Sequence, residues 1–84
     1  MEIWFLDFFD ERQGPYSVLA QDNNNYFIEH PDINYCLLAV PKVMVVSKIE
    51  VEGEDIIGIA DYILLDDRIK SVDFKYPKFM STEH

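Results

Sequence analysis

The stretch Lys42–Gly53, "KVMVVSKIEVEG", constrains the fold more than any other part of this 84-residue chain. Val43, Val45, Ile49 and Val51 alternate with other residues and share one side with Ser47, while Lys48, Glu50 and Glu52 fall on the other. A period of two with β-branched residues on one side describes a strand with one face toward a core and one toward water. Gly53 is expected to end it.

The same period recurs along the chain. In residues 2–9, "EIWFLDFF", Trp4, Leu6 and Phe8 fall on one face, and Ile3, Phe5, Asp7 and Phe9 on the other. That pattern predicts a strand largely covered on both sides, although helical spacing also fits Trp4, Phe5, Phe8 and Phe9. "DERQGPY" carries Gly14-Pro15 and reads as a turn. "YSVLA" and "YFIEH" read as strands joined by a hairpin at "QDNNN", whose Asn and Asp residues tolerate left-handed conformations. "YCLLAV" reads as a buried strand, and Pro41 should bend or interrupt the sheet after it. Val72, Phe74 and Tyr76 mark a last strand before Pro77, and residues 78–84 form a tail expected to fray.

One segment breaks the period. From Asp55, Ile56, Ile59, Ala60, Ile63 and Leu64 are spaced as one face of a helix over about residues 55–66, with Gly58 as an internal weakness. The expected class is therefore α+β: a single compact domain over residues 1–84, with a mainly antiparallel sheet of five or six strands and one helix late in the chain. Apolar residues make up 49% of the chain, enough to fill a core at a length near the lower limit for folding without disulfides or metals.

The chain offers little of what catalysis or cofactor binding needs. Its one cysteine, Cys36, lies in an apolar run where a buried, inert thiol is expected, and no intramolecular disulfide can form. His30 stands before Pro31 in a predicted turn and His84 is the last residue, so a Cys36–His30 dyad has no third group to orient it. "EVEGED" lacks the ligand alternation and downstream Glu of a calcium loop, and Gly14, Gly53 and Gly58 are wrongly spaced to cradle a phosphate. No metal, no cofactor and no enzymatic activity are expected. The N-terminus lacks the basic region of a secretory signal, and no run approaches the length of a membrane span, so a reducing, cytoplasmic setting is expected.

Charge is the more informative quantity. Sixteen acidic against seven basic residues leave a formal charge of −9, which disfavours direct contact with a phosphate backbone and favours encounter with basic surfaces. The charge is segregated: residues 49–67 carry a net −7 and residues 68–84 a net +2. The seven carboxylates are Glu50, Glu52, Glu54, Asp55, Asp61, Asp66 and Asp67. On an extended strand Glu50 and Glu52 would project about 6.7 Å apart, Glu54 and Asp55 would face the helix dipole, and the rest would continue an acidic ridge. A solvated face accounts for the same residues, yet ordinary soluble surfaces intersperse the two signs.

Among the aromatic residues, Trp4 and Phe9 are the candidates for exposed anchors. Core packing is expected over a base-stacking platform, with an interface patch next, because only Arg12 accompanies seven acids up to Asp32. In physical profile the chain is similar to small acidic inhibitors: nuclease immunity proteins, and phage proteins, anti-CRISPR proteins among them, that block restriction, CRISPR or DNA-repair enzymes. No segment aligns with a particular family. The profile implies a stoichiometric inhibitor, in effect a nucleic-acid mimic, that occupies the basic surface of a nucleic-acid-processing partner. The competing expectation is a structural or assembly module that pairs with its own copy or another subunit through a strand edge or the aromatic N-terminus.

Overall fold

A computed structural model describes residues 1–7 and 9–74. The chain is α+β, as expected, with eight strands in two sheets and one α-helix among the described residues. The elements run β1 (Glu2–Leu6), β2 (Arg12–Ser17), β3 (Ala20–Gln21), β4 (Asn25–Glu29), β5 (Cys36–Pro41), a 3-10 turn (Lys42–Met44), β6 (Val45–Ile49), β7 (Ile57–Gly58), α1 (Ile59–Leu65) and β8 (Ser71–Asp73). The first sheet is antiparallel in the order β2-β1-β6, and the second has the order β7-β3-β4-β5-β8. In the second sheet β3, β4 and β5 are antiparallel, while β7 joins β3 and β8 joins β5 in parallel.

Alternation along the central strands builds three layers. Tyr26 and Ile28 of β4 and Leu38 and Val40 of β5 meet Ile3 and Phe5 of β1, forming a core between the two sheets. The intervening residues, Phe27 of β4 with Leu37 and Ala39 of β5, form a second core with Ala20, covered by Ile59 and Tyr62 of α1 together with Leu19, Ile69 and Val72. Both faces of β4 and β5 are therefore buried, which is why "YFI" and "CLLAV" read as unbroken apolar runs.

Several boundaries differ from expectation, each for a physical reason. "DERQGPY" is not simply a turn, because Arg12–Ser17 forms β2. The register shifts from Ile3–Tyr16 to Phe5–Gln13, so an extra residue around Gly14-Pro15 is absorbed in a bulge on an edge strand, where proline's missing N–H is tolerated. β1 stops at Leu6, where the Asp7 carboxylate accepts the Phe9 and Glu11 N–H groups at 2.8 and 2.9 Å and shapes the β1–β2 turn.

The expected strand over residues 42–53 contracts to β6. Its partner β1 begins at Glu2, opposite Ile49, so nothing continues the ladder beyond that pair. Val43, Ile49 and Val51, expected to face the core, are exposed. The helix is shorter than residues 55–66: Gly58, the poorest helix former in the segment after proline-free neighbours are compared, serves as its extended N-cap, and Ile57 pairs beside β3. Glu54 and Asp55 therefore lie outside the helix, and Asp61 is the acid in its first turn. Phe8, Tyr76 and the tail 78–84 lie outside the described residues.

Gly14 has φ +137°, and a Cβ there would stand 2.8 Å from the Ile3 carbonyl oxygen and 3.2 Å from Trp4. Gly53 has φ +86° with open space around it. Gly14→Ala should therefore lower stability by about 2 kcal/mol or more, and more than Gly53→Ala does, when the variants are compared by urea unfolding.

Candidate functional site

The acidic residues reach the surface by a different route from a strand face. Glu50, Glu52, Glu54 and Asp55 lie on the connection between β6 and β7, which turns at Glu52–Gly53 with the Glu54 N–H on the Val51 carbonyl at 3.3 Å. Asp61 is in the first turn of α1, and Asp66 and Asp67 follow its last residue. Seven helical residues span about 10 Å, so the carboxylates form one group on the loop and another past the far end of α1.

Three of the seven have cation partners. Glu50 pairs loosely with Lys48 at 3.7 Å, Glu54 accepts from the Met1 amino group at 2.6 Å, and Asp66 binds Arg68. Pairs with a solvated partner are screened by water and contribute little to stability. Glu52, Asp55, Asp61 and Asp67 are exposed and make no ion pair among the described residues. Their field is left for solvent or a partner.

Asp66 is the most engaged of the set. Its Oδ1 accepts Arg68 N–H at 3.2 Å and Nε–H at 3.0 Å, and its Oδ2 accepts Nη2–H at 3.2 Å. The Arg68 side-chain bonds hold its carboxyl below the usual carboxylate range, and Asp66 in turn pushes Arg68 up. Beside it, burial and then the Asp66 and Glu29 charges push the Tyr62 hydroxyl up. These residues border a cleft of about 350 Å³ between the end of α1 and the β4–β5 connection, with Tyr35 also at its margin.

Sequence reasoning singled out Asp66 but missed Glu29, Tyr35 and Tyr62. The alternation in "YFIEH" does place Glu29 on the face of Phe27. Only the seating of α1 on that face brings it near Tyr62.

Apolar groups accompany the acids. Leu64 and Leu65 on α1 are 81% and 79% exposed, directly before Asp66 and Asp67. Of the two aromatic candidates, Phe9 is 83% exposed at the β1–β2 turn. Trp4 is half-buried with the Arg12 guanidinium 4.9 Å above its ring, so an attractive contact already covers one face.

The histidine has a structural task. His30 is 2% exposed; its Nδ1 accepts the Asp32 and Ile33 N–H groups at 3.0 and 3.1 Å, which places the ring hydrogen on Nε2, donated to Asp73 Oδ2 at 2.9 Å. Both ring nitrogens are thus committed, and none faces Cys36, whose buried Sγ lies 3.5 Å from the Leu37 carbonyl. The pair fastens the 31–35 turn to β8. Among the described residues no group of three or more His, Cys, Asp or Glu is placed to hold a metal, and no helix is long and apolar enough to cross a membrane.

Compared with known protein families, with curated proteins and with solved structures, the chain matches none of them. What the fold defines is therefore a physical class: a three-layer α+β domain with carboxylates on the β6–β7 connection and past the end of α1, and exposed leucines beside the latter.

Asp66 should titrate below the usual aspartate value of about 3.9 in a carboxyl NMR titration, and Arg68→Ala should return it toward that value. Because its folded value is depressed, its contribution to stability is present above the unfolded value and lost as pH falls through the folded one. His30→Ala should cost about 1–3 kcal/mol and speed amide exchange at Asp32 and Ile33 ahead of exchange in β4; unchanged exchange there would show that the ring does not hold the turn.

Proposed function

We propose that this protein is a non-enzymatic binding protein that docks on a basic, nucleic-acid-binding surface of a partner, a nucleic-acid-processing enzyme, and blocks it in the manner of a phage anti-defence or immunity inhibitor. The observation that carries this reading is the exposure, without ion pairing among the described residues, of Glu52, Asp55, Asp61 and Asp67 within one acidic segment. A one-signed surface steers encounter with a basic groove and substitutes there for phosphates without offering a bond to cleave. Leu64 and Leu65 supply apolar contact beside the charge, as interfaces require at their centres.

An assembly module acting through strand edges has less support. Val46 and Ile49 are exposed on edge strand β6, which favours pairing with another copy. Yet the register of β6 shifts at Val46, and the other edges are equally poor templates. β2 contains Pro15 and a bulge, β7 has two residues and β8 has three, with Asp73 at its end. Bulges, proline and short length are how edges avoid pairing.

The test is capture of a basic protein from native host lysate, washed at low and at high salt. Retention at low salt and release at high salt are expected. The combined change Glu52→Gln, Asp55→Asn and Asp61→Asn should weaken binding roughly tenfold or more while urea stability stays within about 0.5 kcal/mol. Unchanged affinity would remove the acidic segment as the interface, and recovery of salt-resistant copies of the protein alone would favour assembly.

A further inference from the structure

The cleft at the end of α1 differs from the acidic loop in being concave and bordered by rings as well as carboxylates. Glu29 enters from the end of β4, Tyr35 from the β4–β5 connection, and Tyr62, Asp66 and Arg68 from α1 and the turn after it. Tyr35 is held at φ +59°, a conformation that bulky residues rarely take, with its carbonyl fixed by the Lys70 N–H at 2.7 Å. Its side chain stays exposed and borders both this cleft and the adjoining depression at Asp67 and Lys70.

Two observations indicate the occupant. Glu29 is exposed and has no cation partner among the described residues. Asp66 already receives a guanidinium, that of Arg68, whose side chain is 72% exposed. The chain's own arginine shows which group this margin accepts.

We propose that the cleft between α1 and the β4–β5 connection receives one arginine side chain of the basic partner, its guanidinium between Glu29 and Asp66 and its face against Tyr35 and Tyr62. The inference rests on the binding reading above and names the group that reading leaves open. Arginine is favoured over lysine because its planar fork matches carboxylates and its face stacks on rings, neither of which an ammonium does as well. Arg68 is the internal competitor. When it swings outward, the cleft changes from one net negative charge to two, so entry of the partner's arginine replaces one guanidinium by another. A tyrosine hydroxyl is protonated at neutral pH, and burial pushes that of Tyr62 further up, so it adds no charge of its own.

The experiment is an amide NMR titration of the full chain with N-acetyl-arginine amide, and with the lysine and norleucine amides as comparators. Saturable shifts at Tyr35, Tyr62 and residues 66–69 are expected with arginine, weaker ones with lysine and none with norleucine. Glu29→Gln should weaken arginine binding about tenfold, and Arg68→Ala should tighten it. Shifts confined to residues 50–55, equal binding of lysine, or indifference to Glu29→Gln would overturn the proposal. The lysate capture separates the two readings. A captured basic partner whose retention ignores Glu29→Gln overturns the cleft and leaves the binding reading standing; saturable arginine binding with no partner captured does the reverse.

Discussion

The burial of β4 and β5 on both faces is the constraint on which the rest of this structure depends. Two adjacent strands with unbroken apolar runs, residues 26–28 of β4 and 36–40 of β5, cannot leave either side to water, because each side carries several large side chains whose exposure would cost about 1.5–3 kcal/mol apiece. The chain meets this with two different covers. β1 supplies Ile3 and Phe5 to one side, and α1 supplies Ile59 and Tyr62 to the other. The first sheet and the helix are therefore less independent units than lids on one central pair, and each shows water the face the core does not need.

What is left outward on α1 follows from that arrangement. A seven-residue helix that commits Ile59 and Tyr62 to the core has only a narrow inward stripe, so Leu64 and Leu65 are turned out beside the acids that follow them. The His30–Asp73 bond belongs to the same scheme. β8 is three residues long and pairs with β5 in parallel, a weak attachment on its own, and the buried ring ties it to the turn that β5 leaves. That turn also carries Tyr35, so the latch that secures the edge of the sheet positions one wall of the cleft.

Electrostatics leaves part of the acidic segment without a counter-charge of its own. Among the described residues the carboxylate–cation pairs are few: Lys48–Glu50 and Arg68–Asp66 are local in sequence, and the Met1 amino group reaches across the chain to Glu54. They leave four of the seven carboxylates of the acidic segment unpaired. Self-repulsion of this kind costs the folded state something, and the two apolar cores offset it. A surface that keeps its charge unpaired keeps its long-range field, which is what encounter with a basic groove uses.

The class of the fold was legible because period-two alternation is a local property: "YFIEH" read as a strand, "YCLLAV" as a buried one and Cys36 as a buried thiol, from residues that are neighbours in sequence. The amount and sign of the charge were legible for the same reason. Strand ends were not, since Ile49 ends β6 only because β1 begins opposite it, and Ile57 joins a sheet only because β3 lies alongside. Nor was the cleft, whose Glu29, Tyr35, Tyr62 and Asp66 come from separate parts of the chain. Composition and periodicity by themselves determined that this protein is an acidic α+β domain with a mainly antiparallel strand content, because burial and charge are summed residue by residue. Tertiary structure alone decided where those charges stand and what they surround, because backbone pairing and layer packing depend on residues that only folding brings together.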